Sequence, residues 1–123
     1  MKHDPVLRAV PRPADLNLNG NIFGGWILAQ MDVAGGVVAT ERARGPVATV
    51  AIEAMKFHRP ILVGDLISIY AWVQRVGRTS IAVDMEVTAR RLGVDQPIKV
   101  TEGTYTYVAV DARTRPRPVD PEA

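Results

Sequence analysis

Between Leu16 and Thr40 the chain carries one ionisable side chain, Asp32, and from residue 22 to residue 39 nearly everything else is apolar or glycine. Those residues read Ile-Phe-Gly-Gly-Trp-Ile-Leu-Ala-Gln-Met-Asp-Val-Ala-Gly-Gly-Val-Val-Ala. A helix of this composition is apolar on all sides, so it has to be covered on more than one face. A carboxylate in its middle is expensive unless a partner or water meets it. Two readings follow: a structural aspartate paired with a buried Arg, Lys or backbone group, or a functional one.

The loop that precedes the helix favours function. Gly24-Gly25 at a helix start leaves backbone N–H groups unpaired and unshielded by side chains. Such an end attracts negative charge, including charge developing on a carbonyl oxygen. Asp32 could then hold or activate a water, with Asn21 orienting that water or the carbonyl. This is the outline of a site for hydrolysing an acyl group. Spacing constrains it: eight residues of helix put Gly24 and Asp32 about 12 Å apart along the axis. One carbonyl carbon cannot touch both. Either the stretch is not catalytic, or the two groups come from two copies of the chain with antiparallel helices.

A length of 123 residues fits one domain. So short a chain has little burial to spare for an enclosed cavity, which is a second reason to expect association. The absence of cysteine excludes disulfides, thiolate catalysis and Cys-based metal sites. His3 and His58 belong to no metal-spacing motif. The net charge of +2 comes largely from the ends, through Lys2, Arg8, Arg12, Arg113, Arg115 and Arg117. It does not indicate nucleic acid and suits an anionic small molecule. Residues 1–13 lack the apolar core of a signal peptide. The apolar run nears membrane-span length, but Asp32, Gln30 and its glycines interrupt it and amphipathic strands follow, so no membrane span is expected. The expected compartment is the cytoplasm.

In chain order, residues 1–5 look unstructured and residues 6–10 suit a short edge strand ended by Pro11 and Pro13. A loop over 14–21 leads into a helix from about Gly24 to about Arg42. Gly35-Gly36 is a weak point in it, a kink or a close approach to a neighbour, and Gly45-Pro46 stops it. Residues 47–57 read as a strand buried on much of both faces. Residues 66–76 and 79–91 form a hairpin through Gly77-Arg78. Ile81, Val83, Met85, Val87 and Ala89 alternate with polar neighbours, the pattern of a half-buried antiparallel strand. Residues 98–110 are the last strand, with Tyr105 and Tyr107 on one face. The simplest packing is α+β, an antiparallel sheet wrapped around one central helix. A single domain then occupies 1–111, and 112–123, rich in Pro and Arg, reads as an unstructured tail.

This order of elements resembles the hotdog fold. Asn19-Gly20-Asn21-Ile22-Phe23-Gly24-Gly25-Trp26, followed by Gln30-Met31-Asp32 and Ala34-Gly35, resembles the YciA-like acyl-CoA thioesterases, the group that includes the cytosolic acyl-CoA hydrolases. Met55-Lys56-Phe57, Pro60-Ile61, Val63-Gly64-Asp65, Val76-Gly77-Arg78-Thr79-Ser80 and Tyr107-Val108-Ala109-Val110-Asp111 fit the same family, so the likeness covers residues 6–111. It implies hydrolysis of acyl-CoA to a free fatty acid and CoA, in homodimers with shared sites that assemble further, commonly to hexamers. The family's acidic residue falls on Asp32 and its helix-start glycine on Gly24 or Gly25. Members carry Asp or Asn at the position of Asn21, and an Asn cannot be a base.

The chemistry agrees in kind. A thiolate with a conjugate-acid pKa of about 8.5 leaves with little acid assistance. One carboxylate, one amide and backbone donors are therefore enough, without metal or cofactor. Asp32 would be general base or nucleophile. Basic residues should meet the CoA phosphates, Arg78 with Thr79 and Ser80 first, then Arg59 and Lys56. Two alternatives remain: a non-catalytic acyl-CoA binder or sensor, and a hotdog dehydratase. The second is weakened because dehydratases add a catalytic His and the helix-start loop has none.

Overall fold

The structure, a computed structural model, describes residues 4–121, so the expectations for residues 1–3 lie outside it. Its elements are β1 (Leu7–Ala9), α1 (Gly24–Ala43), β2 (Val47–Phe57), β3 (Leu66–Val76), β4 (Ser80–Arg90) and β5 (Ile98–Ala109), with one turn of 3-10 helix at Pro13–Asp15. The strands form one sheet in the order β1-β3-β4-β5-β2, every neighbour antiparallel. α1 lies across one face of it and meets β2, β3, β4 and β5. The expected α+β architecture is present, and the edge strand near residue 8 pairs with β3.

The alternation in β4 decides which face is the core. Ile81, Val83, Met85, Val87 and Ala89 are buried toward the helix, where Ile67 and Ile69 of β3 and Tyr105 and Tyr107 of β5 join them. The helix answers with Ile27, Met31, Ala34, Gly35, Ala39 and Ala43, spaced three or four residues apart along one stripe. It is therefore covered on one side only. Val33 and Val37, on the other side, are exposed.

β2 differs most from expectation. It is an edge strand, and its apolar residues Val50, Ile52 and Phe57 are 57%, 46% and 56% exposed. Apolar composition announces burial but not by what; here the single chain does not supply the cover. Register shifts in the β2–β5 pairing and a left-handed Ala54 (φ 54°) bend this edge further.

The helix runs unbroken through Gly35-Gly36. Gly35 serves a close approach, because a Cβ there would collide with the Tyr107 hydroxyl and come within 2.8 Å of Met85 Cε. At the far end Arg44 takes the left-handed capping conformation (φ 58°). Gly45 provides room, since a Cβ on it would lie 2.7 Å from the Arg117 guanidinium.

That arginine corrects the expectation of an unstructured tail. Arg117 donates to the carbonyls of Ala43 (2.9 Å), Val110 (3.1 Å) and Pro118 (3.0 Å). Val119 is buried against the core, and Asp120 accepts two 2.8 Å hydrogen bonds from Arg42. Residues 116–121 thus close the C-terminal end of α1, whose last carbonyls need partners. Composition misleads here because proline fixes an extended path as readily as it prevents a helix. Arg117→Ala should cost about 1–3 kcal/mol of stability, the range for removing charged donors from half-buried acceptors. Urea unfolding of the two proteins measures it.

Candidate active site

Asp32 sits on the open side of α1, half exposed, in a groove of about 550 Å³ lined by Val33, Gly36, Val37, Val47, Thr49 and others. Its Oδ1 accepts from Thr49 Oγ1 of β2 at 2.7 Å and from the Tyr107 hydroxyl of β5 at 3.1 Å. The same Tyr107 hydroxyl is 3.1 Å from the backbone carbonyl of Asp32. Tyr105, two residues earlier, donates to the carbonyl of Leu28 at 2.7 Å. Burial above all, and then the charge of Asp32, pushes the Tyr105 phenol up to about 12 and the Tyr107 phenol further still. Both remain protonated donors at any ordinary pH.

A structural aspartate paired with an arginine does exist in this chain, but it is Asp65. Its carboxylate is buried, caps the Val63-Gly64 turn through the Leu62 N–H at 2.9 Å, and pairs with Arg91 at 3.3 Å. Arg91 also donates to the carbonyl of Pro60. Among the described residues no cation is paired with Asp32.

The helix start builds a second, separate cavity of about 280 Å³, where Asn21 and Gly24 meet Ile27, Phe57, His58 and Thr101. The N-cap residue Phe23 supplies no side-chain cap, so the first N–H groups of α1 keep their donor capacity. The loop before it is held by Asn17, whose Oδ1 accepts from the N–H groups of Asn19 (2.8 Å) and Asn21 (3.1 Å) and whose own N–H donates to the Asn21 carbonyl (2.7 Å). Turn chemistry from Asn17 was expected for this loop, and its side chain supplies it as an Asx turn. Sequence reasoning missed Thr101, whose buried Oγ1 beside this cavity has no partner among the described residues. His58 lines the rim, but its Nε2 is engaged by Glu102 at 2.8 Å. Lys99 chiefly, and His58 after it, holds that glutamate below the usual carboxylate range. A structural role for His58 fits this arrangement.

The expected site residues therefore fall into separate places within one chain. Asp32 lines the groove, and Asn21 and Gly24 line the cavity about 12 Å away along an unbroken helix. Gly25 lies beside Gly24 with its Cα facing the Phe23 ring, and neither void includes it. The basic candidates divide likewise. Arg78, Thr79 and Ser80 stand near the C-terminal end of α1, where Ser80 lies opposite Val108 and the Arg78 carbonyl accepts from Val119. Lys56, opposite Glu102, and Arg59 stand at the helix-start end. Six residues of β5 separate the two sets, about 20 Å.

The family model described as the thioesterase superfamily matches residues 19–94, the span from the asparagine loop through β4. The chain belongs to the thioesterase superfamily. It is 45% identical over 117 residues to the acyl-CoA thioester hydrolase YciA of Salmonella typhimurium, covering 93% of this chain and 88% of that one. Among solved structures it resembles a hexameric hotdog-fold thioesterase of Campylobacter jejuni (TM-score 0.92, 42% identity, 96% of this chain and 91% of that one). It also resembles a hexameric thioesterase from Yersinia pestis (TM-score 0.90, 41% identity, 97% of each chain). The sheet wrapped on one helix is thus the hotdog fold of this superfamily.

Proposed function

We propose that the protein hydrolyses acyl-CoA thioesters to a carboxylic acid and CoA, in sites shared between two subunits. The observation that carries the reading is Asp32 itself, a carboxylate held by two neutral hydroxyls and open to an apolar groove in a superfamily of thioesterases. Such a carboxylate can take a proton from water or attack the thioester carbon. The Gly24 and Gly25 N–H groups polarise the carbonyl, and Asn21 orients it. The thiolate departs without a strong acid.

Geometry within one chain keeps these groups apart, and a two-fold axis joins them. The exposed faces of α1 and β2 are the natural contact, because together they present Val33, Val37, Val50 and Ile52 to solvent. Antiparallel α1 helices then bring Gly24 of one subunit toward Asp32 of the other. The same operation carries the Arg78-Thr79-Ser80 turn of one subunit toward the helix-start end of its partner, beside Lys56 and Arg59. Both basic sets then serve one entrance for the CoA phosphates. Further assembly of dimers into a hexamer is in keeping with the two hexameric relatives.

Asp32→Asn keeps the shape of the side chain and removes its basicity. We expect an intact fold with kcat lower by about 10²–10⁴-fold; wild-type turnover on the best acyl-CoA of a panel would remove Asp32 from the chemistry. The panel also separates an enzyme from a binder, since a binder shows affinity without release of CoA.

Arg78→Ala should raise KM for acyl-CoA by about tenfold, with kcat little changed, because a phosphate contact holds ground and transition states alike. The loss should shrink as salt is added. An unchanged KM at low ionic strength would leave Arg78 a turn residue.

Sharing of sites is tested by mixing. Gly24→Pro removes one N–H at the first helical position, where proline fits: Phe23 is already extended (φ −69°, ψ 147°) and a Cβ at Gly24 meets nothing within 4 Å. Homodimers of Gly24→Pro and of Asp32→Asn should both be inactive. The heterodimer should regain one of its two sites, since one interface then carries an intact Gly24 and an intact Asp32. Heterodimers that form and stay silent would mean each site lies within a single chain.

A further inference from the structure

Resting on the assignment of Asp32 above, we propose that Tyr107 and Thr49 are positioning residues that pin one oxygen of Asp32, Oδ1, so that Oδ2 is the oxygen presented to water or substrate. Gly35 is the notch that lets Tyr107 in.

Three observations meet here. Both hydroxyls donate to Oδ1, from residues paired directly across β2 and β5, Thr49 at 2.7 Å and Tyr107 at 3.1 Å, and among the described residues no hydrogen bond reaches Oδ2. A carboxylate with one oxygen doubly held has lost its rotation about χ2, and its remaining lone pairs point one way. Secondly, the Tyr107 hydroxyl reaches the Asp32 backbone carbonyl as well, so one phenol registers the main chain and the side chain of the same residue. Thirdly, that approach exists only because residue 35, three positions further along the helix on the sheet side, has no side chain: a Cβ there would occupy the hydroxyl's place. A strand tyrosine, a helix glycine and an aspartate are thus fitted to one another.

The titratable groups facing Asp32 are Tyr107 and Tyr105 of β5 and, along the same groove, Glu41 of α1. β2 contributes the uncharged Thr49, and β3 and β4 turn apolar side chains such as Ile69, Met85 and Val83 into the core beneath the helix. Each hydroxyl donor limits how the carboxylate can turn, so removing one loosens the direction in which Oδ2 points.

The test is how the loss divides between kcat and KM, since misdirecting the reacting oxygen slows the chemistry and leaves substrate binding alone. Tyr107→Phe keeps the ring and loses the donor. Its kcat should fall several-fold while KM holds. Thr49→Val, at an exposed position of the edge strand, should lower kcat in the same way, and it keeps the proposal testable where the buried substitution unfolds the chain. Gly35→Ala should mimic Tyr107→Phe, and the double variant Gly35→Ala/Tyr107→Phe should be more stable than Gly35→Ala alone, because the clash with the hydroxyl is gone. A loss of packing alone would lower stability and leave the kcat of the folded protein unchanged. Folded Tyr107→Phe and Thr49→Val proteins whose kcat and KM coincide with wild type, beside an inactive Asp32→Asn, would overturn the inference and spare the assignment of Asp32. Turnover by Asp32→Asn would instead overturn that assignment and this inference with it.

Discussion

The placement of α1 on its sheet depends on two phenol hydroxyls. Tyr105 donates to the carbonyl of Leu28, and Tyr107, two residues on along β5, shares its one proton between Oδ1 and the carbonyl of Asp32, four residues on along the helix. Two steps of strand advance about 6.6 Å and four steps of helix about 6.0 Å, so the two periods match closely enough for both bonds to form at once. The ring centroids are 6.3 Å apart. A helix carbonyl keeps a second lone pair after its intrahelical bond, so neither hydrogen bond costs the helix one of its own. Together they fix the position of α1 along β5 and its roll about its own axis. The roll decides which side of the helix faces out, and Asp32 is on that side.

What the helix buries explains why it leaves so much open. Its sheet-facing stripe includes Ala34, Gly35, Ala39 and Ala43, small residues that bring the helix backbone close to the strands. The larger Val33 and Val37 are spent on the other side. With β2 at the edge, also apolar and also exposed, one chain carries half of a second core. The groove holding Asp32 runs along this exposed apolar surface.

Local patterns were legible in the sequence and partners were not. Period-two alternation identified the core face of β4, and glycine and proline marked both ends of α1, because those signals are local. The same reasoning read β2 as buried on much of both faces, since an apolar strand looks alike whether or not its own chain covers it. It read the tail as loose, since nothing local shows that Arg117 has the carbonyl of Ala43, 74 residues away, to reach for. Asp32 was conspicuous as a lone charge among apolar neighbours. Its two hydroxyls come from 17 and 75 residues downstream and carry no signature beyond a strand threonine and a Tyr-Thr-Tyr alternation. Gly35 was conspicuous for a different reason and read as a possible kink; its use as a notch depends on what stands opposite.

The contrast between Asp65 and Asp32 bears on the chemistry. Asp65 is buried, faces a guanidinium and caps a turn, so both of its oxygens are committed to holding the β2–β3 connection in place. A guanidinium beside a carboxylate engages both of its oxygens, which suits a structural post. Asp32 has neutral donors instead, both on one oxygen, and an apolar groove at its side. Neutral donors on one oxygen orient a carboxylate and leave the other oxygen open. A thioester asks for little more than that: the nucleophilic or basic oxygen must point the right way, and the thiolate leaves without a strong acid. The residues around Asp32 supply direction, and the helix start lies about 12 Å away at the far end of the same helix.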